Sequence, residues 1–375
     1  MGARKRHSPR RGSLAYSPRI RAKSMEARIR AWPEVDKAQE PRILAHCGFK
    51  AGCVQIVSID DREKVPNAGK QLVSLGTVLA TPPVLILGMR GYARDAARGL
   101  YAAFDVYAED MPREMAKVVK LKNGDENALK NAEASLGRIS EMYAILAVSP
   151  RQAGLEQKNP YIFEGMVGGG SIAQQFEYLS GMLGKQVSIS DTFEAGSSVD
   201  VAAITKGKGW QGVLKRWNVK KKQHKSRKTV REVGSLGPIS PQSVMYTVPR
   251  AGQFGFHQRT EYNKRIMIVG DAAAEEEQRR QEMEAQSAAA AAGSKKSDGA
   301  KRRRGAGSQY AQQRQQQNRG INPAGGYKHF GLVKGEYVIL KGSVPGTYRR
   351  LVKLRSQVRN KPSKISKPNI LEVVV

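Results

Sequence analysis

"GCVQIVSID", residues 52–60, alternates apolar and polar side chains. Val54, Ile56 and Ser58 fall on one face, Val57 and Ile59 on the other. That period of two predicts a half-buried β-strand. Outward from it the texture stays β. "QLVSLGTVLATPPVLILGMRGYA" (71–93) supplies two more strand-like runs, punctuated by Gly76 and by Pro82 and Pro83. Strands return with "KQVSIS" and "VDVAAITKGKG", with "VMYTVPRAGQFGFHQRTEYNKRIMIVGD" (244–271), and with "YVILKGSVPGTYRRLVKLR" (337–355), two β runs joined through "GSVPG". The fold class expected is mainly β.

One region breaks the pattern. In 111–146 Leu129, Ala132, Leu136, Ile139 and Tyr143 recur every three or four residues, one face of a helix, with Asn127 or Asp125 at its start. "SIAQQFEYLSGMLGK" (171–185) predicts a second helix, opened by Ser171 and broken near Gly184. Residues 106–185 therefore read as a helical insertion in a β protein. Residues 272–320 are low-complexity: Ala-rich, then "KKSDGAKRRRG", then Gln-rich, with too little apolar content in the second half for a core.

The 375 residues include 64 Lys or Arg against 33 acids, a formal charge of +31, while 40% hydrophobic content allows a real core. Such self-repulsion opposes compaction unless a polyanion offsets it. Nucleic acid is the commonest such partner. No apolar run approaches the roughly 20 residues a membrane span needs, and the N-terminus has no apolar signal-peptide core. Two cysteines, Cys47 and Cys53, make no disulfide framework and fit no zinc spacing, which suggests reduced thiols and a cytoplasmic location.

The charge is concentrated. Residues 1–30 carry ten Lys or Arg and one acid, Glu26. Arg4, Lys5, Arg6, Arg10 and Arg11, then Arg19, Arg21 and Lys23, read as an extended arm that orders on its partner. "KGKGWQGVLKRWNVKKKQHKSRK" (206–228) has ten cations and no acid. They are Lys206, Lys208, Lys215, Arg216, Lys220, Lys221, Lys222, Lys225, Arg227 and Lys228, and Arg231 follows. Lysine and arginine release counterions from phosphates, and Trp stacks on exposed bases. For Trp210 and Trp217 two readings stand: stacking on RNA, or packing beneath the body of the protein. In 244–266, Arg250, Gln253, His257, Arg259, Lys264 and Arg265 are further candidate contacts. Cations spread over irregular segments suit folded RNA better than duplex DNA.

Enzyme motifs fail. A phosphate loop ending at Lys185 would need Gly where Leu179 stands and Ser or Thr where Gln186 stands. "VGGGSIA" has Ala173 where a nucleophile elbow needs Gly. His257 sits in a basic context with few carboxylates nearby, which favours an RNA or structural contact over general-base work. Three classes of function are weighed: a structural protein of an RNA–protein particle, a general RNA-binding or RNA-chaperone protein acting outside such a particle, and an RNA-modifying enzyme that would depend on His257. Neither catalysis nor a cofactor is expected, and any Mg2+ or K+ nearby would belong to the RNA.

Five segments lying in order carry a family resemblance: "RHSPRRGSLAYSPRIRAKS" (6–24), "KGKGWQGVLKRW" (206–217), "VMYTVPRAGQFGFHQRTEYNKRI" (244–266), "INPAGGYKHFG" (321–331) and "VILKGSVPGTYRRLVKLR" (338–355). The chain resembles the large-subunit ribosomal protein L-three family in its archaeal and eukaryotic form. The resemblance implies a translation-protein-type β-barrel over 46–105 and 186–375. It also implies an N-terminal arm over 1–45 and a central extension over 207–262 that penetrates ribosomal RNA. In that family the extension approaches the peptidyl transferase centre and shapes the region where aminoacyl-tRNA enters, and the protein acts in early subunit assembly. The implied partners are large-subunit rRNA of the 23S type and neighbouring large-subunit proteins, with no membrane and no small-molecule substrate. At the extension tip "GPISP" places Ile239 and Ser240 where the family usually has Trp and His. Ile can wedge between nucleotides but offers no π face. The 272–320 segment is longer and more biased than in the family.

Overall fold

The computed structural model describes residues 11–109, 111–119, 127–281, 320–359 and 367–375. In chain order the first elements are β1 (Arg42–Ile43), β2 (Ala45–Ile59), β3 (Gln71–Ala80), β4 (Val84–Asp95), β5 (Gly99–Tyr107), α1 (Arg113–Val119), α2 (Ala128–Ala134), β6 (Ile139–Val148), β7 (Tyr161–Gly168) and α3 (Ile172–Met182). Then come β8 (Gln186–Val187), α4 (Ile189–Thr192), β9 (Ser198–Ile204), β10 (Trp210–Gln211), α5 (Val213–Trp217), β11 (Gly252–Gln253), β12 (Gln258–Asp271), β13 (Glu336–Lys341), β14 (Leu351–Ser356) and β15 (Ile370–Val374). The protein is mainly β, as its alternating runs predict.

β2 follows its sequence pattern: Val54, Ile56 and Ser58 are buried, whereas Cys53 and Gln55 are exposed. It belongs to a sheet ordered β14-β9-β12-β13-β3-β2-β15, all neighbours antiparallel. β14 pairs with β2 as well as with β9, so six of these strands pair in a closed circuit. Leu79, Val201, Ile266, Val338, Leu340, Val352 and Leu354 from its strands form one buried cluster.

The chain leaves this sheet at Pro82–Pro83, where missing N–H groups cannot continue a ladder. β4 starts a second sheet, ordered β1-β7-β6-β4-β5, with β8 also on β4. Two expectations change here. Residues 84–105 do not pair with the first sheet; they pair with β6 and β8. And 106–185 is not mainly helical: Ile139 and Tyr143 lie on β6, and Leu136 in a 3-10 turn. β6 runs between β4 and β7 and is buried on both faces from Met142 to Val148. A strand buried on both sides shows a near-continuous apolar run, which periodicity cannot tell from a buried helix. Asn127 precedes α2 but makes no side-chain cap hydrogen bond, and Asp125 lies outside the described residues. Ser171 does cap α3, accepting from the Gln174 N–H at 3.3 Å while its own N–H donates to Gln174 Oε1 at 2.8 Å.

Of the low-complexity segment, 272–281 is helical and 282–319 lies outside the described residues. The chain meets the core at both ends of this segment. Ala272 and Ile321 are buried in the main core, and Asn322 bonds both ways with the Val333 backbone at 2.8 and 2.9 Å.

Candidate nucleic-acid interface

The cationic extension grows from the hairpin of β9 and β12. The ladder passes from Gln258↔Ile204 through the hydrogen bonds Lys208 N–H to Phe254 O and Phe254 N–H to Gly209 O, both 2.9 Å, and ends at Trp210↔Gln253 and Gln211↔Gly252. Gly255, at φ +73°, makes the close crossing possible: a Cβ there would lie 2.1 Å from the Lys206 carbonyl oxygen. Between α5 and β11, residues 218–251 contain neither helix nor strand. The rooted extension therefore spans about 205–257, and 258–262 belongs to β12 rather than to the extension.

Arg216, Trp217 and His257 form the root. Arg216 donates to three carbonyls: Nε to Gln253 at 2.9 Å, and its terminal nitrogens to Arg250 at 2.9 Å and Arg19 at 3.1 Å. Trp217 is 5% exposed and its indole N–H donates to the Arg250 carbonyl at 2.9 Å. Of the two readings of Trp217, the structure gives packing.

The arm docks on this root. The Arg19 guanidinium lies 3.8 Å from the Trp217 ring centroid and donates to the carbonyls of Arg216 (2.6 Å) and Ser13 (3.1 Å). Gly12, at φ +72°, lies so close to the indole that a Cβ would stand 2.6 Å from Trp217 Cε3. The Ala22 N–H donates to Phe256 O at 2.8 Å, Arg21 covers the Phe256 ring at 4.8 Å, and Arg259 covers Tyr16 at 4.2 Å. Cation–π contacts of this kind are worth about 0.5–2 kcal/mol each. Arg4, Lys5, Arg6 and Arg10 lie outside the described residues; Arg11 and Lys23 are exposed.

His257 is 7% exposed, and its Nδ1 lies 2.8 Å from the Ile20 carbonyl, which accepts an Nδ1–H. Burial, then the charges of Arg259, Arg19 and Arg216, hold it below the usual histidine range. The neutral ring thus ties arm to hairpin. Among the described residues no carboxylate hydrogen-bonds to it, as a general base would need for orientation.

The remaining candidates face outward. Lys206, Lys208, Lys215, Lys220, Lys221, Lys225, Arg227, Lys228, Arg231 and Arg250 are exposed. Lys222 is half-buried and donates to Thr229 Oγ1 at 3.1 Å. Among the described residues no acid lies within salt-bridge distance of any cation from 206 to 231. Trp210 is 77% exposed and Ile239 93%. By contrast Lys264 pairs with Glu261 at 2.7 Å and Arg265 with Asp61 at 2.8 Å, so both are engaged within the protein. Gln253 donates to the Gly255 carbonyl at 3.0 Å.

Sequence reasoning missed one arrangement on the body. Asp200, fully buried, accepts from Arg355 at 3.0 Å and from the backbone N–H groups of Asn263 (2.9 Å) and Val358 (3.2 Å), while Arg355 also donates to the Ala31 carbonyl. The signal was a lone Asp inside the apolar run of β9. Among the described residues no group of His, Cys, Asp or Glu could hold a metal ion, and no helix is long and apolar enough to cross a membrane.

The family model described as Ribosomal protein L3 matches residues 1–374. Relatives named large ribosomal subunit protein uL3 include one from Methanococcus vannielii, 36% identical over 98% of this chain and 96% of its own length. Another, from Caldivirga maquilingensis, is 37% identical over 94% and 91%. A third, from Methanocaldococcus jannaschii, is 36% identical over 96% and 95%. The rooted cationic extension, the docked arm and the match across the whole chain lead to one statement: this chain belongs to the ribosomal protein L3 family.

Proposed function

We propose that this structural constituent of the large ribosomal subunit inserts its extension and arm among segments of 23S-type rRNA, with the residues around Ile239 reaching toward the peptidyl transferase centre. The closed strand circuit then acts as a translation-protein-type barrel that stays on the subunit surface as the base for both projections. The acid-free run from 206 to 231, held at its root by protein hydrogen bonds and exposed beyond it, carries this reading. An unpaired run of like charge is stable beside a polyanion and repels itself elsewhere. Burying phosphate contacts on an extended element also suits a protein that joins the rRNA early in assembly, before the surrounding helices close. Membership of a ribosomal protein family sets aside both the off-ribosome chaperone and the RNA-modifying enzyme.

Sedimentation tests the reading. The native chain is expected to travel with the large subunit at low salt and to leave it only at high salt. A chain running free of subunits at low salt would contradict it.

A further inference from the structure

A second cationic cleft lies on the body, beside the first residues of the extension. It encloses about 490 Å3 and is lined by Lys206, Lys328, His329, Thr347, Tyr348 and Arg349, with no acid. Two loops build it, both within segments that the sequence reading quoted without assigning them contacts. In the first, the Tyr327 N–H donates to Gly331 O at 2.8 Å and the Phe330 N–H to Tyr327 O at 3.0 Å. Tyr327 and Phe330 are buried, and the Tyr327 hydroxyl donates to Ile321 O at 2.6 Å. The residues between them, Lys328 and His329, are therefore exposed on an anchored turn. In the second, the Arg349 N–H donates to Lys50 O at 2.9 Å and the Lys50 N–H to Arg350 O at 3.1 Å.

Arg349 Nε donates to the His329 carbonyl and joins the two loops. Both residues hold left-handed backbone, φ 65° and 64°, uncommon for side chains other than glycine and sustained here by those bonds. The His329 and Tyr348 rings lie 6.2 Å apart at 40°, and Tyr348 is 41% exposed. Among the described residues none of Lys206, Lys328 and Arg349 has a salt-bridge partner.

Exposed cations around exposed rings match the chemistry of an unpaired nucleotide. Cations take the phosphate, and a ring stacks on the base. A duplex keeps its base faces covered and offers only phosphates and groove edges. We propose that this cleft seats one unpaired RNA nucleotide, its base stacked on Tyr348 beside His329 and its phosphate held by Lys206, Lys328 and Arg349. Lys206 also lines a hollow of about 370 Å3 at the extension root, with Lys208, His257, Arg259 and a Glu261 that is paired with Lys264. One RNA strand can therefore follow the cations from root to cleft. The proposal rests on the RNA-binding reading above and adds a site to it.

The test compares the full chain with a Tyr348→Leu, His329→Asn double variant. Both positions are exposed, both changes leave the three cations in place, and Asn tolerates the left-handed backbone. The probes are a short single-stranded oligoadenylate and an RNA duplex of equal length, at one salt concentration. Affinity for the single strand is expected to fall about tenfold, the weight of one base stacked on an aromatic ring, with duplex affinity unchanged. Tyr348→Phe, which keeps the ring, is expected to bind like the unmodified chain. An unchanged single-strand affinity, or an equal fall for both probes, overturns the cleft. Failure of the unmodified chain to bind either probe overturns the RNA-binding reading itself and the cleft with it.

Discussion

Two tryptophans from one cationic stretch have opposite fates. Trp217 is buried beneath Arg19 and bonded to Arg250, whereas Trp210 stands in solvent. Trp217→Ala is expected to cost about 3–5 kcal/mol, the range for truncating a buried aromatic, seen as lost hydrogen-exchange protection at the Ala22 amide. Trp210→Ala is expected to change stability by less than about 0.5 kcal/mol and to weaken RNA binding instead. Equal loss of protection in both variants would contradict the assignment. His46 gives a second residue-scale expectation. It is fully buried, and burial pushes it down to about 4. Above pH 6.5 neither the folded nor the unfolded chain protonates it. Between pH 6.5 and about 4 only the unfolded chain binds that proton, so stability falls with acidification by about 3 kcal/mol in total. Urea midpoints should drop more over that interval than in a His46→Leu chain; equal drops would contradict the shift. At this scale the sequence told which residue types matter but not which way they face. Nothing in "KGKGWQGVLKRW" separates the buried Trp from the exposed one, because the difference is made by Arg19 and Gly12, about 200 residues away in the chain.

The extension divides into a root whose Arg216 is satisfied by protein carbonyls and a distal stretch of exposed charge. Arg216 spends its donors on three carbonyls, while Lys220 and Lys221 are exposed. Changing Lys220, Lys221 and Lys222 to Ala together is expected to lower the salt slope of RNA binding by about 2–3, if each meets one phosphate. An unchanged slope would place all three in solvent. Strand alternation in β2 and the Ser171 cap were legible because both are local rules: a period of two, and a hydroxyl one turn ahead of an apolar run. β6 was not legible. Its apolar run is long because β4 and β7 cover both of its edges and the sheet is buried, which is a tertiary fact. The same ambiguity hid the second sheet and left β4 counted with the barrel.

Across the whole molecule, a net charge of +31 is unevenly spread, and several acids are paired within the body. Asp200, Glu164, Asp105 and Asp61 each pair with an arginine there. Twelve Lys or Arg against four acids in 1–45, and twelve against one in 205–257, place 19 of the 31 net charges on the arm and the extension. Charge distribution was the most readable feature of the sequence, since it depends on composition along the chain and not on packing. The cleft between 326–331 and 345–350 was not readable, since its two loops meet only in the fold. A photoreactive residue at position 239, placed in chains within native large subunits, tests the central claim most directly. Crosslinks to rRNA nucleotides near the peptidyl transferase centre are the predicted result. Crosslinks confined to neighbouring proteins, with no rRNA adduct, would contradict it.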